Sequence, residues 1–213
     1  MQCPLCNTES SLFKTVQERA YFKCETCWGI FLDPSNYLTP EQEKARYLEH
    51  NNDVEDTGYQ NFVKPLVSKI MQLQRPNHKG LDFGSGTGPV ITKLLTEKDF
   101  NIITYDPFFD DNKNRLETTY DYIVSCEVIE HFHHPSKEFK LLKSLLRPGG
   151  SLYCKTHIYN TSINFDTWYY KDDPTHVFIY HKKTLEWIKT NFNFKELTVE
   201  NRTIHFKMED SPS

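Results

Sequence analysis

The chain has 213 residues, of which 38% are hydrophobic and 14% aromatic, enough for one medium-sized domain with its own core and a small additional unit. The formal net charge is only −4, so composition provides no general attraction to nucleic acid or to an acidic membrane surface. The sequence contains no apolar run of about 18 residues and no basic segment followed by an apolar one. We therefore expect a cytoplasmic protein without a membrane segment or a signal peptide.

Four of the six cysteines form two pairs near the N-terminus, Cys3 with Cys6 and Cys24 with Cys27. Two C-x-x-C turns can bring four thiolates to one point, as tetrahedral zinc requires. A disulfide scaffold is typical of short secreted chains, while a redox pair or four unrelated thiols are the remaining alternatives. We predict a zinc ribbon over residues 1–36, with a structural role because four protein ligands leave no open position for a substrate.

Two helices are predicted between this module and the first strand of the next domain, over residues 37–76. The first begins at Thr39, which can cap the helix while Gln42 completes a capping box. The second covers residues 59–74. We expect the segment to close over a bound ligand, although an ordinary linker with solvated side chains is the alternative. The candidate lid residues are Tyr47, His50 and Tyr59.

From residue 77 onward, short apolar runs alternate with amphipathic segments. This alternation predicts an α/β fold for residues 77–213, with a doubly wound, mostly parallel Rossmann-like sheet. The run at 120–126 is almost wholly apolar, as a buried parallel strand should be. Two final strands, near 195–200 and 203–208, predict an antiparallel C-terminal hairpin at one edge.

A glycine-rich turn, L-D-F-G-S-G-T-G over residues 81–88, joins the first of these strands to a helix. Glycines let the backbone approach a ligand closely, and the helix N-terminus offers free N–H groups. Pro89 stands where a dinucleotide fingerprint needs glycine, which argues against a nicotinamide cofactor. Asp106 ends the next strand, where a carboxylate can accept hydrogen bonds from ribose hydroxyls. Gly84, Asp106 and Cys126 should converge, since ligands bind at the carboxyl ends of parallel strands.

Together these features resemble the class I S-adenosylmethionine-dependent methyltransferases. The resemblance rests on the glycine-rich turn, Y-D-P at 105–107, Y-D-Y-I-V-S-C-E-V-I-E-H at 120–131 and L-L-R-P-G-G at 145–150, and covers about residues 79–200. It implies that the methionine end of S-adenosylmethionine lies at the glycine-rich turn, the ribose at Asp106 and the methyl donor near Cys126. The candidate cofactor-binding residues are Asp82, Gly84, Ser85, Gly86, Asp106, Pro107 and Cys126.

The connection after Asp106 departs from this family's pattern. Only thirteen residues separate Asp106 from Tyr120, too few for the usual helix–strand–helix insertion. We therefore expect the strand that normally supplies adenine contacts to be shortened or missing, and the adenine contacts stay unassigned. A generic nucleotide or sugar-phosphate site on the same fold is the alternative interpretation.

A second metal site is suggested by Glu127, Glu130 and His131, which share one face if they form a helical turn. With His176 they could ligate a divalent cation, either Mg²⁺ or a second Zn²⁺. The Glu-x-x-Glu-His run resembles that of ubiquinone-pathway O-methyltransferases and small-RNA terminal 2′-O-methyltransferases, which implies a cation that activates an alcohol oxygen. Alternatives are local hydrogen bonds by the carboxylates, a packed or capping His131, and His176 as a general base or a structural residue. The candidate catalytic residues are Glu127, His131 and His176.

A long aromatic connection occupies residues 157–180 and contains Trp168, Tyr169 and Tyr170. Its place at the open end of the sheet suits a lid or an acceptor pocket. We predict an S-adenosylmethionine-dependent methyltransferase that methylates an oxygen of a small molecule, with or without metal assistance. One alternative is an rRNA or tRNA methyltransferase, which the weak charge disfavours. The other is a non-catalytic module that binds the cofactor or a protein.

Overall fold

The computed structural model describes residues 1–49 and 53–210. The strands of the described residues are β1 (Ser11–Val16), β2 (Arg19–Lys23), β3 (Ile30–Leu32), β4 (Gly80–Phe83), β5 (Ile102–Tyr105), β6 (Tyr120–Cys126), β7 (Leu146–Lys155), β8 (Phe178–Ile179), β9 (Glu196–Glu200) and β10 (Thr203–Lys207). The α-helices are α1 (Pro40–Leu48), α2 (Thr57–Leu73), α3 (Val90–Thr96), α4 (Pro135–Ser144) and α5 (Lys182–Asn191). No helix of the described residues is both long enough and apolar enough to cross a membrane.

The larger sheet has six strands in the order β5-β4-β6-β7-β10-β9. The first four pair in parallel, while β10 runs antiparallel to both β7 and β9. This arrangement confirms the predicted α/β fold with a mostly parallel sheet and a C-terminal hairpin. β6 is buried along most of its length, as its continuous apolar sequence indicated.

Helices cover both faces of this sheet. α2 and α3 pack through Val63, Ile70 and Val90 on the face that carries Tyr122 and Tyr153. α4 and α5 cover the opposite face, in the core that includes Phe139, Leu185 and Phe206. Each helix therefore buries its apolar stripe against the sheet, which places the sheet's carboxyl edge where the loops can form a site.

The shortened connection expected after Asp106 is confirmed. β5 is the edge strand of the larger sheet. Between β5 and β6 the only helical feature is a short 3-10 turn, Lys113–Leu116. The wall that an additional strand would form beside β5 is therefore built from loop residues alone.

The N-terminal module forms a second sheet with the order β1-β2-β3-β8. β8 comes from the long aromatic connection, and it pairs with β3 through Ile30 with Ile179 and Phe31 with Phe178. The ring of Phe178 also fills the space beside Gly29, where an added Cβ would lie 2.4 Å from its ring. The module predicted at residues 1–36 thus shares a sheet and a core with the later part of the chain.

The start of α1 follows the predicted capping box. Thr39 Oγ1 accepts a hydrogen bond from the backbone N–H of Gln42 at 3.3 Å, and the Gln42 side chain accepts one from the backbone N–H of Thr39 at 2.9 Å. These bonds satisfy N–H groups that a helix start leaves without partners. In the structure this helix ends at Leu48.

His205 on β10 predicts a pH dependence of stability. Its ring stacks on Tyr153 with centroids 4.6 Å apart, and Nε2 lies 3.0 Å from Ser151 Oγ. Burial lowers the pKa of His205 to about 4. An unfolded histidine has a pKa of about 6.5 and binds more protons between these values, so the contribution of His205 to stability rises with pH in this range.

When the pH falls from 7.5 to 5, we expect His205 to lower the free energy of unfolding by about 2 kcal/mol. His205→Asn should remove most of that pH dependence in urea unfolding, whereas His134→Asn, at an exposed position, should keep it. Equally steep pH dependence in all three proteins would contradict the assignment. The charged residues near His205 are Lys69, Glu196, Glu200 and Lys207.

Candidate functional site

A large cleft of about 1080 Å³ lies at the carboxyl edge of the parallel strands. Its walls come from α1, α2, the loops after β4, β5 and β6, the segment 169–176 and the turn between β9 and β10. The cleft lies at the upper end of the range of about 300–1,000 Å³ that is usual for ligand sites. Among the predicted residues, those that line it are Tyr47, Tyr59, Gly84, Ser85, Gly86, Asp106, Pro107, Cys126, Glu127, His131 and His176.

The glycine-rich turn after β4 depends on two backbone conformations that favour glycine. Gly84 has φ +81° and Gly86 has φ +64°. A Cβ atom at Gly84 would lie 2.6 Å from the side chain of Val128, which follows β6. Only a bare backbone therefore lets this turn approach both the next loop and a ligand.

Asp106 organises the two loops that meet at this point. One carboxylate oxygen accepts a hydrogen bond from Gly86 N at 2.9 Å, and the other accepts from the backbone N–H groups of Phe108 and Phe109 at 2.8 and 3.1 Å. A carboxylate offers about four lone-pair directions, so one remains for a ribose hydroxyl. The residues present fit the sugar of a nucleoside cofactor.

Asp82 lies beneath the glycine-rich turn and does not line the cleft. Side chains alternate along a strand, and Asp82 points to the face that carries α3. There its carboxylate accepts a hydrogen bond from Thr92 Oγ1 at 2.8 Å, and burial raises its pKa to about 6. The structure thus separates Asp82 from the other predicted cofactor residues and gives it a contact to the following helix.

The structure brings together three of the four residues predicted for the second metal site. Ligand atoms of Glu130, His131 and His176 all lie within 4.8 Å of one another. Glu130 is fully buried, and its Oε1 accepts a hydrogen bond from the Tyr170 hydroxyl. Its Oε2 is buried without a hydrogen-bond partner among the described residues. An unpartnered buried carboxylate oxygen is costly, and a cation at this point would satisfy it.

Both histidines are held by backbone carbonyls. His131 Nδ1 lies 2.9 Å from the Thr175 carbonyl oxygen, and His176 Nδ1 lies 2.6 Å from that of Tyr170. A carbonyl oxygen can only accept, so Nδ1 carries the proton and Nε2 keeps its lone pair. Burial lowers the pKa of His131 and so favours its neutral form. A ring held in this way is the usual arrangement of a metal-binding histidine.

Glu127 does not belong to this cluster, which corrects the expected set of four ligands. Its carboxylate accepts hydrogen bonds from Arg202 Nη2 at 3.0 and 3.3 Å. The backbone of Glu127 has φ +51°, so the chain leaves β6 in a left-handed turn and not in the regular helix that the i, i+3, i+4 spacing assumed. Burial and the neighbouring Glu130 raise the pKa of the Glu127 carboxyl.

The four N-terminal cysteines form a second candidate metal centre. Sγ atoms of Cys3 and Cys27 are 3.5 Å apart, and those of Cys6 and Cys24 are 3.3 Å apart. Tetrahedral zinc with bonds of about 2.3 Å places its sulfur ligands roughly 3.8 Å apart, close to these separations. All four ligand atoms lie within 4.8 Å of one another, so the donor set fits zinc.

A family model described as a methyltransferase domain matches residues 56–199. The chain belongs to this methyltransferase family. The match covers more than half of the chain and includes the glycine-rich turn, Asp106 and the Glu130–His131 loop. It confirms the expectation of a methyltransferase. None of the curated proteins matches the chain by sequence.

Solved structures similar to this methyltransferase show the same fold. The 1,6-didemethyltoxoflavin-N1-methyltransferase of Burkholderia thailandensis, solved with 1,6-didemethyltoxoflavin and S-adenosylhomocysteine, has a TM-score of 0.59 at 13% identity and covers 95% of this chain and 100% of its own. A methyltransferase from Archaeoglobus fulgidus has a TM-score of 0.53 at 21% identity, and the match covers 66% of this chain and 72% of that protein. An O-methyltransferase family protein from B. thailandensis has a TM-score of 0.52 at 12% identity and covers 80% of this chain, which spans 64% of that protein.

The α1 helix of the methyltransferase lies across the cleft. The Tyr47 ring contacts Phe108 and His131 at centroid distances of 5.5 and 5.3 Å. Arg46 donates two hydrogen bonds to Asp173, two residues before Thr175, at 3.2 and 2.9 Å. The third candidate lid residue, His50, lies outside the described residues. Sequence reasoning missed Arg46 and Arg202, because both reach the cleft only through contacts between segments more than 70 residues apart.

Proposed function

We propose that this methyltransferase transfers a methyl group from S-adenosylmethionine to an oxygen atom of a small-molecule acceptor. The observation that carries the proposal is the cluster of Glu130, His131 and His176, whose two histidines line the same cleft as the glycine-rich turn while Glu130 is buried beside them. Both histidines present a lone pair on Nε2, which can receive a proton or a cation at the place where an acceptor would lie.

The cofactor would lie between the loops that follow β4, β5 and β6. The backbone of Gly84, Ser85 and Gly86 would face its methionine end, and Asp106 would accept a hydrogen bond from its ribose. Pro107 and Cys126 would contact its two sides. Asp82, which bonds Thr92, would support the glycine-rich turn from below and not touch the cofactor. When bound, the cofactor supplies the electrophilic methyl group.

A divalent cation would be held by Glu130 Oε and the Nε2 atoms of His131 and His176, where it would lower the pKa of an acceptor hydroxyl. The choice between Mg²⁺ and Zn²⁺ follows from the donors: two imidazoles and one carboxylate favour a zinc-like ion over magnesium. The protein's own contribution is to orient the hydroxyl oxygen in line with the methyl group, since alignment supplies much of the rate enhancement.

A small acceptor is supported by the cleft itself. Its acceptor side is bounded by Tyr59, Phe62, Tyr169 and Tyr170, whose rings suit a compact ligand. The formal net charge of −4 does not favour an RNA acceptor. The structural neighbour with bound 1,6-didemethyltoxoflavin shows that this fold can hold a small acceptor beside the cofactor product.

Zinc at the four cysteines would stabilise the fold and take no part in the reaction. We propose a structural zinc module at residues 1–36, a helical lid at 37–76 and the catalytic domain at 77–213. The donor set supports the zinc assignment, since its four thiols lie within 4.8 Å of one another and leave no open coordination position.

Calorimetric titration with S-adenosylmethionine and S-adenosylhomocysteine tests the cofactor site. Asp106→Ala should weaken binding by about 1–3 kcal/mol, the scale of hydrogen bonds to a charged group. Glu186→Ala, which removes an exposed carboxylate on α5, should leave the affinity unchanged. Absence of binding by folded, zinc-loaded protein, or equal affinity in the wild type and both variants, would contradict the proposal. Acceptor screening in the presence of Zn²⁺, Mg²⁺ or a chelator then tests transfer to hydroxyl groups.

A further inference from the structure

Arg202 reaches the cleft from the turn between β9 and β10. Its guanidinium carbon lies 5.4 Å from the ring centroid of Phe62 and 5.7 Å from that of Tyr170. Two aromatic neighbours hold a guanidinium plane in a defined orientation. The side chain keeps 27% of its surface exposed, so a ligand in the cleft can reach it.

The donors of Arg202 are only partly used. Both of its hydrogen bonds run from Nη2 to Glu127. Nε is buried and has no partner among the described residues. A guanidinium carries five N–H donors arranged to match a carboxylate, so this side chain can bind a second acidic group.

Lys155, at the end of β7, adds a second positive charge. Its Nζ lies 4.3 Å from the ring centroid of Phe62, the same ring that faces Arg202. The residue is only 6% exposed, and no carboxylate of the described residues lies within ion-pair distance of it. Lysines are rarely buried without a paired charge. Lys155 does not line the cleft, but its charge lies beside a ring that does, so it adds positive potential at the Arg202 end.

Tyr170 connects this positive region to the histidine cluster. Its ring centroid lies 4.2 Å from that of His176, and the same ring faces Arg202. The His176 ring centroid and the Arg202 guanidinium carbon thus lie 4.2 and 5.7 Å from the centroid of the same Tyr170 ring. An acceptor with a hydroxyl at one end and an acidic group at the other can contact both residues.

We propose that the acceptor is an aromatic hydroxy acid whose carboxylate binds Arg202 while its hydroxyl lies at His131 and His176. The buried charge of Lys155 would add attraction without touching the acceptor. This inference rests on the proposed O-methylation and specifies its substrate class. The carboxylate would take the unused donors of the guanidinium, and the aromatic walls would hold the ring. Methyl transfer would form the new oxygen–carbon bond as the sulfur–methyl bond of S-adenosylmethionine breaks, with S-adenosylhomocysteine as the leaving group. The hydroxyl proton would pass to solvent, or to a histidine Nε2 that no cation occupies.

The test uses full-length, zinc-loaded protein saturated with S-adenosylhomocysteine. Binding of hydroxybenzoate and hydroxycinnamate isomers is compared with binding of their primary amides by ligand-observed NMR and calorimetry. We expect the best carboxylate to bind at least about tenfold more tightly than its amide, the effect of one charge-assisted hydrogen bond. Arg202→Gln should abolish this preference and Lys155→Gln should reduce it. Arg75→Gln, at an exposed position outside the cleft, should retain it.

Three results would overturn the proposal: no member of the panel binds, the carboxylates show no advantage over the amides, or Arg202→Gln keeps that advantage. A loss of S-adenosylhomocysteine affinity in Arg202→Gln, with the carboxylate preference intact, would assign Arg202 to the cofactor's own carboxylate. A failure of the proposed function would give a different set of results. Wild-type protein would then fail to bind the cofactor, or would bind the hydroxy acids without methylating their oxygen.

Discussion

Replacing Cys27 with serine should disrupt the catalytic cleft as well as the N-terminal module. The physical reason is the sheet that joins the two. β3 pairs with β8, Leu32 N donates to the Val177 carbonyl at 2.9 Å, and the Tyr21 hydroxyl donates to the Lys171 carbonyl at 3.1 Å. These contacts position the chain on both sides of His176. Loss of zinc would release β3 and, with it, the segment that carries His176.

The expected effect is large. Structural zinc contributes about 10 kcal/mol or more of apparent binding free energy, comparable with the whole stability of a typical domain. Cys27→Ser should lose bound zinc, unfold at a much lower temperature and bind S-adenosylhomocysteine weakly. Elemental analysis, thermal unfolding and calorimetry measure these three quantities on the same sample.

Cys154→Ala is the matched control, since Cys154 is also fully buried but stands in β7, away from the four-cysteine cluster. It should keep stoichiometric zinc and lose only the small stability of a truncated core side chain. A Cys27→Ser protein that loses zinc yet keeps its cofactor affinity and thermal stability would show that the module is independent of the cleft.

Substitutions in the Glu130–His131–His176 cluster should have a large effect on cation binding and on methyl transfer. Glu130→Gln and His176→Ala should each abolish measurable binding of a divalent cation at the cleft, because each removes one of only three protein ligands. Methyl transfer should fall on the order of 10²–10⁴-fold, the range for loss of a group that activates the acceptor proton. S-adenosylhomocysteine affinity should stay near that of the wild type, since neither Glu130 nor His176 is among the residues proposed to contact the cofactor.

Two controls make this prediction specific. Glu127→Gln should retain the cation, because Glu127 pairs with Arg202 and not with the cluster. His134→Ala changes another histidine of the cleft that lies outside the cluster and should behave in the same way. Cation titration by calorimetry, with Mn²⁺ monitored by paramagnetic resonance, measures the affinity. Loss of the cation in Glu127→Gln would restore the four-ligand site expected from the sequence.

Taken together, the two sheets explain why a small cysteine-rich module accompanies this methyltransferase. The segment 169–176 supplies Tyr170 and His176 to the cleft, and its backbone carbonyls orient both histidines. A long connection of this kind has little regular structure of its own to hold it. Pairing of β8 with β3 fastens one end of the connection, so the ribbon would determine the geometry of the acceptor site without touching the acceptor.

Local patterns in the sequence by themselves determined much of this protein. The capping box at Thr39, the glycine-rich turn at Gly84 and the apolar run of β6 each depend on neighbouring residues, whose propensities act over a few positions. The short connection after Asp106 likewise limited what could fold there, and the missing strand followed from its length. Two C-x-x-C pairs were enough to predict a four-cysteine cluster.

Only the tertiary structure decided where the remaining side chains point. β8 pairs with a strand almost 150 residues earlier, a contact that no local pattern of a two-residue strand can specify. Asp82 faces α3 and not the cleft because of the alternation within β4, and Glu127 leaves the predicted metal site because a left-handed turn directs it to Arg202. Such contacts depend on the packing of distant segments and on single backbone angles, and periodicity in the sequence encodes neither.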